Sequence, residues 1–289
     1  LVDEIEALLT DASVSVPPRT VLPMAAGAFL FAMPGCDART AMTKLITFTP
    51  ANMGTGRPTI QGDVTVFDVA SGERPLILDG PTVTARRTAA VSALAARWLA
   101  ADLNGPMLIV GAGVQGQAHI EVFAAALGVT QFRIASRRRA SAEALAEHAR
   151  GLGLQAEVVD DADAALADCP LAATCTPASE VVLRAAPRAD AFIAAVGAFT
   201  PQMVEIDAEL CRRIAAQGRI VVDSRDAGHE AGDLLQAGLD VDAMPALADI
   251  VRAQQKARAE VGPVLFKSCG WAGWDLAAAR LALQARAGG

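Results

Sequence analysis

The sequence predicts an α/β chain: a doubly wound parallel sheet preceded by a smaller α+β block. Three observations carry that reading. From residue 107 onward, short apolar runs (MLIVGA, FRIAS, QAEVV, LAATC, AFIAAVG, RIVVDS) recur with helical stretches between most of them, and apolar runs without alternation are what strands buried on both faces require. Residues 28–79 instead carry β-rich, partly alternating segments separated by the turn-prone PGCD, NMGTGRP and SGE, the pattern of an antiparallel block. Between the two lies residues 82–103, alanines and leucines at helical spacing, stopped by Asn104-Gly105-Pro106.

In chain order, the amphipathic opening LVDEIEALL predicts a short helix; it begins at Leu1 rather than Met, so the N-terminus reads as trimmed, with no signal peptide visible. Residues 21–34 (VLPMAAGAFLFAMP) are the most apolar early stretch, but Pro23, Gly27 and Pro34 interrupt it. It falls short of the roughly 18 to 20 residues of a membrane span, and it reads as sheet core. Strands are expected at 28–34, 42–50, 60–69 and 74–79, and the helix over 82–103 opens on a capping threonine and connects two domains. Six further strands follow at 107–112, 132–136, 155–159, 171–175, 191–197 and 219–224, and a last helix at 273–287. The expected division is a first domain of residues 1–103, completed by the C-terminal helix at about 273–289, and a second of 104–272.

Composition narrows the chemistry. The 289 residues carry 25 Lys+Arg against 32 Asp+Glu, a net charge of −7, with 53% hydrophobic residues and no tyrosine. An acidic chain of this kind is not built to neutralise a nucleic-acid backbone, so any anionic ligand must be caught by local groups. The missing phenol excludes mechanisms that use tyrosine as the proton donor. Five scattered cysteines without a CxxC spacing read as reduced, mostly buried thiols of a cytoplasmic protein. The three histidines share no ligand spacing, and no metal is expected.

Directly after the strand MLIV comes Gly111-Ala112-Gly113-Val114-Gln115-Gly116, opening a helix. In this context Gly111 makes the tight turn, Gly113 lets the backbone approach a pyrophosphate and Gly116 allows close helix-strand packing, the arrangement of a Rossmann dinucleotide site. The residue that meets the adenosine ribose, about 20 residues beyond the glycines, is Ser136, followed by Arg137, Arg138 and Arg139. With no carboxylate to accept from a free 2′-hydroxyl and arginines to bind a 2′-phosphate, NADP(H) is favoured over NAD(H). In the N-terminal block, Arg19 follows Pro17-Pro18, Lys44 interrupts the apolar strand MTKLITF, and Arg86-Arg87-Thr88 lies early in the connecting helix. An ammonium in a half-buried strand is costly unless it meets an anion, and together these cations suggest a carboxylate clamp.

These residues resemble the ornithine cyclodeaminase/μ-crystallin family over nearly the whole chain. The marks are PPR at 17–19, the lysine strand with Pro50 and Asn52 after it, FDVASGERPLILDGPTVTARRTAA at 67–90 and GAGVQGQ at 111–117. Further marks are ATCTPASEVVL at 173–183, VGAFTP at 196–201 with Glu205, VDSRDAGHEAGDL at 222–234 and FKSCGWAGWDLA at 266–277. The resemblance implies a homodimer whose N-terminal region, joined by the C-terminal helix, binds substrate and dimerises, while a Rossmann domain carries the nicotinamide. It implies Arg19, Lys44 and Arg87 as ligands of a substrate carboxylate, with Lys44 also near the reacting nitrogen. It implies Thr88, Thr176, Val196 and Gly197 as cofactor contacts beside Gly111, Gly113, Val114, Gln115, Gly116, Ser136, Arg137 and Arg138.

One departure matters. Cyclodeaminases resemble one another in a GGD-x-P stretch whose aspartate activates the attacking amine, and here the sequence is Gly197-Ala198-Phe199-Thr200-Pro201. A phenyl ring neither takes a proton nor pairs with an ammonium. The expectation is therefore reduction of a cyclic ketimine, Δ1-pyrroline-2-carboxylate or Δ1-piperideine-2-carboxylate, to L-proline or L-pipecolate, with the proton arriving with the substrate or from Lys44. The alternatives are a cyclodeaminase with bound NAD, a μ-crystallin-like NADPH-dependent binding protein, and a dehydrogenase of another small amino acid. Asp223 and Asp275 read as supporting rather than acid-base residues, and no histidine is a convincing catalyst.

Overall fold

The computed structural model describes residues 1–52, 54–177, 179–255 and 262–287. The first half of the chain runs α1 (Val2–Thr10), β1 (Thr20–Pro23), β2 (Phe29–Cys36), β3 (Thr40–Phe48), β4 (Ile60–Asp68), β5 (Leu76–Asp79) and α2 (Gly80–Leu99). The five strands form one antiparallel sheet in the order β1-β2-β3-β4-β5. Alternation along β3 sets its two faces: Met42, Lys44 and Ile46 are buried, whereas Leu45 is 49% exposed. The stretch expected as sheet core is so only in part. All four residues of β1 are exposed, because it is an edge strand, and Ala25–Gly27 make a 3-10 turn before β2 begins. Helix α2 starts earlier than predicted, with Asp79 rather than a threonine as the cap: its Oδ2 accepts from the Thr82 amide at 2.8 Å.

The second half runs β6 (Met107–Val110), α3 (Val114–Leu127), β7 (Gln131–Ala135), α4 (Arg139–Gly151), β8 (Gln155–Val158), α5 (Ala162–Leu166), β9 (Leu171–Thr174), β10 (Ser179–Leu183), β11 (Phe192–Ala195) and β12 (Val204–Ile206). It continues through α6 (Ala208–Gln217), β13 (Arg219–Val222), α7 (Gly232–Gln236), α8 (Leu247–Arg252), β14 (Val264–Lys267) and α9 (Ala272–Ala287). Seven of these strands form a parallel sheet in the order β13-β14-β11-β9-β6-β7-β8. Its six predicted strands are present, and the seventh, β14, was not anticipated. Strands β6, β9, β11 and β14 are buried at every position, as a sheet covered on both faces demands. The order reverses between β6 and β9, the switch point where ligands of such sheets bind. Strands β10 and β12 make a separate two-stranded parallel pair, also unanticipated.

By internal contacts the chain divides into Leu1–Arg87 with Trp271–Gly289, and Thr88–Gly270. The boundary falls inside α2. In the first unit α9 packs on α1 and on β2, β3 and β4. Arg280 fastens it there, with Nε 2.5 Å from Asp37 Oδ2 and an Nη 2.6 Å from Asp11 Oδ2.

Candidate active site

In the first unit, β3 carries Lys44 to the buried face of the sheet, and its side chain is fully enclosed. The Nζ lies 3.0 Å from Asp275 Oδ1 and 2.9 Å from Oδ2, and 3.5 Å from Thr84 Oγ1. Asp275, on α9, is fully buried too, and its Oδ1 lies 3.4 Å from Arg87 Nε. Arg19 stacks its guanidinium on the Phe31 ring at 5.3 Å. Lys44 is pushed down from 10.5 to about 8: burial is the main cause, Arg87 and Arg19 add to it, and Asp275 opposes it. The structure thus sets Lys44 and Arg87 against a single carboxylate, with the Arg19 guanidinium near enough to lower Lys44. Two buried cations sharing one buried carboxylate leave surplus positive charge, which suits an anionic ligand.

In the second unit, the glycine loop follows β6. Gly111 has φ +115°, a conformation open to glycine, and a Cβ there would strike the Cys175 carbonyl. A Cβ on Gly116 would collide with the Gly111 carbonyl, whereas at Gly113 it would meet nothing within 4 Å. Gly113 is also the N-cap of the 14-residue α3, and no side chain caps that helix. An open cradle at an uncapped helix start fits a pyrophosphate, so these residues fit a dinucleotide. The Gly111 amide donates to the Ala135 carbonyl at 2.9 Å, tying the loop to the end of β7, where half-buried Ser136 and exposed Arg137 and Arg138 follow. Arg137 reaches Glu180 at 3.4 Å, and Arg139 is held by Asp160 and Glu143. Behind the loop, His119 is fully buried, with Nδ1 2.7 Å from the Gln115 carbonyl and Nε2 3.0 Å from Ser92 Oγ; burial depresses it to about 4, so it is neutral.

Sequence reasoning noted Glu205 only as part of a motif and gave it no role. Fully buried, it accepts four hydrogen bonds: at Oε1 from the Thr176 amide (2.7 Å) and hydroxyl (2.8 Å), at Oε2 from the Gly197 amide (2.7 Å) and Thr174 hydroxyl (2.9 Å). It therefore staples the loop after β9 to the loop after β11, where Val196 and Gly197 lie. Asp233 Oδ1 in turn accepts from the amides of Glu205 and Ile206, and its Oδ2 pairs with buried Lys267 at 2.9 Å. Burial raises Glu205 against the pull of Lys267 and the Thr176 donors.

The remaining candidates have structural surroundings. Asp223 accepts from Ser268 Oγ and the Gly270 amide, both at 2.8 Å, and His229 is exposed. Phe199 is half-buried and packs against the apolar core of its unit. The Cys175 thiol is raised well above its ordinary value by burial and is inert. Among the described residues no group of His, Cys, Asp and Glu is placed to hold a metal, and no helix is long and apolar enough to cross a membrane.

Known proteins resemble this chain in sequence and in fold. The Δ1-pyrroline-2-carboxylate reductase 2 of Burkholderia ambifaria is 39% identical over 277 residues, 94% of this chain and 86% of that protein. The ketimine reductase mu-crystallin of Mus musculus is 36% identical over 276 residues, covering 94% of this chain and 85% of that protein. The solved structure of Thermococcus litoralis Δ1-pyrroline-2-carboxylate reductase, in complex with NADH and L-proline, superposes with a TM-score of 0.89 at 25% identity, covering 98% of this chain and 91% of that one. Residues 1–287 match the ornithine cyclodeaminase/mu-crystallin family, and the chain belongs to it.

Proposed function

We propose that this protein is a nicotinamide-dependent oxidoreductase that reduces a cyclic ketimine, Δ1-pyrroline-2-carboxylate and also Δ1-piperideine-2-carboxylate, to the L-amino acid. The observation that carries the reading is the buried pair Lys44 and Arg87 with Asp275 as the counter-charge and half-buried Arg19 acting on Lys44. The guanidiniums and Lys44 hold the substrate carboxylate, which fixes the ring and keeps water from its imine carbon. Lys44 delivers a proton to the imine nitrogen as that nitrogen loses its double bond, and the neutral amine is then reprotonated from solvent. A bound reduced nicotinamide supplies the hydride that goes to the imine carbon. The open cradle at Gly113 and the uncapped start of α3 hold the pyrophosphate, with Thr88, Thr176, Val196 and Gly197 as further cofactor contacts. Ser136, Arg137 and Arg138 favour NADPH over NADH, because no carboxylate stands at the strand end to repel a 2′-phosphate.

Phe199 supports reduction over ornithine cyclodeamination, since a phenyl ring offers no base for the attacking amine. A homodimer is supported by the outward face of the first unit's sheet. There Leu22 pairs across the ladder with Leu30, and Leu45 with Ala32, while Ile77 lies on the same face; Leu22, Leu45 and Ile77 are each about half exposed. A cytoplasmic setting is supported by the five cysteines, none of which forms a disulfide.

The test is loss of NADPH or NADH absorbance with Δ1-pyrroline-2-carboxylate, run beside ornithine with ammonia detection. The expected result is fast imine-dependent oxidation, preferentially of NADPH, and no ammonia. Ammonia from ornithine without imine reduction overturns the reading.

A further inference from the structure

Of the 25 basic residues in the chain only three are lysines, Lys44, Lys256 and Lys267. Lys256 lies outside the described residues, and the other two are fully buried on strands. Among the described residues the arginines supply every water-facing guanidinium or ammonium side chain, and both lysines are enclosed; of the two cations only lysine can give up its proton near neutral pH when burial depresses it.

Every element packed around Lys44 presents an identifiable group. In the sheet its neighbours are Met33 on β2 and Val64 on β4, both apolar. Helix α2 presents Thr84 and Arg87, the segment before β1 presents Arg19, and α9 presents Asp275. Burial and both guanidiniums disfavour an ammonium at this position, and among these neighbours Asp275 is the one charged group that favours it. Its carboxylate meets Lys44 through both oxygens and Arg87 through one, so it also fixes where the ammonium sits relative to the guanidinium.

Resting on the ketimine reductase reading, we propose that Asp275 is a positioning residue that keeps Lys44 charged until a substrate carboxylate arrives, and so sets the pH above which the enzyme lacks a proton to deliver. The carboxylate takes no part in bond making. It determines whether the nitrogen beside the imine is an ammonium, which protonates the imine, or an amine, which does not. With Asp275 present, Lys44 stands at about 8 and is mostly charged at neutral pH. With its charge removed, burial, Arg87 and Arg19 all push Lys44 downward, opposed by the 3.5 Å contact with the Thr84 hydroxyl.

Two readouts on Asp275→Asn test this. In the pH profile of kcat/KM, which reports the groups of the free enzyme, the descending limb should move down by at least about one pH unit. Activity should then fall about twofold at neutral pH and roughly tenfold at about pH 9, above both midpoints, where one pH unit is a factor of ten in the charged fraction, and should largely recover in mildly acidic buffer. A purely structural loss lowers the profile at all pH values without moving the limb, and that result overturns the proposal. The second readout needs no substrate. Isotope-labelled lysine gives three side-chain signals, and Lys44→Arg identifies the one that belongs to Lys44. That signal should titrate near 8 in the parent protein and lower in Asp275→Asn; equal midpoints overturn the proposal. Should asparagine prevent folding, Asp275→Glu retains the charge but displaces it, and the Lys44 midpoint must still fall. If the parent protein reduces no cyclic imine, the functional reading fails, and the lysine titration still decides the role of Asp275.

Discussion

The two buried lysines sit in surroundings of opposite sign. Lys267, in the second unit, is depressed by burial, but Asp233, with Cys269 and the carboxylate of Glu205, more than offsets this and holds it above its ordinary value. Those carboxylates are themselves filled, Glu205 by four donors and Asp233 by two amides and the lysine. Lys44, in the first unit, has two guanidiniums and one carboxylate around it and is driven down. A cluster whose charges are answered within the chain holds loops in place. A cluster with surplus charge is costly for the empty protein and is neutralised only when a ligand of the right sign enters. On the proposed function, that difference is the one between a scaffold and a site.

The largest effect that can break this contrast belongs to Lys44→Ala. Removing the proton donor and one carboxylate ligand should lower kcat by about a thousandfold, within the range expected for a general acid. Dinucleotide affinity should stay within about twofold. Because the lost group is a disfavoured buried cation, and Asp275 keeps Arg87 as a partner, thermal stability should hold or rise. Turnover that survives the change, or a collapse of the fold, would mean that the cluster is structural.

Glu205→Gln tests the other side and should behave in reverse. An amide accepts at one end only, so its NH2 must face either the Thr176 amide or the Gly197 amide. Backbone N–H groups cannot rotate away as the threonine hydroxyls can. Leaving one buried amide without an acceptor should cost about 2 kcal/mol of stability, visible in thermal unfolding, and should weaken dinucleotide binding as the loops after β9 and β11 part. A glutamine variant as stable as the parent, with unchanged cofactor affinity, would sink the idea that this carboxylate holds the two loops together.

The same contrast explains what the sequence revealed. Lys44 stood out because an ammonium inside MTKLITF violates the local apolar pattern, and the glycine loop stood out because its spacing is local and its mechanism is known. Asp275 lies 231 residues from Lys44, and no periodicity links an aspartate in a C-terminal helix to a lysine in an early strand. Glu205 went unassigned for a related reason: its donors come from the end of β9, the loop after it and the loop after β11, 8 to 31 residues away, and only folding shows that all four converge on it. Strand β14 was missed because its four residues, VLFK, end in a lysine that reads as polar until Asp233 is seen beside it. The exposure of β1 depends on its edge position, which residue type alone does not convey.

The smallest effect concerns a third group of charges, which differs from both clusters in facing water. Arg137 has 81% of its side chain exposed and Arg139 is already engaged by two carboxylates, while Arg138 is exposed at the N-cap of α4. Exposed charges of this kind contribute about 1 kcal/mol or less each, so cofactor preference here should be easy to shift and modest in size. Ser136→Asp places a carboxylate where the strand end meets the ribose: it can accept from a 2′-hydroxyl and it repels a 2′-phosphate. The ratio of kcat/KM for NADPH to that for NADH should fall about tenfold, while imine KM and thermal stability stay as they were. High salt should narrow the difference, since these charges are screened while those around Lys44 are not. An unchanged ratio would remove the arginines from the cofactor site and leave them as the solvated start of α4.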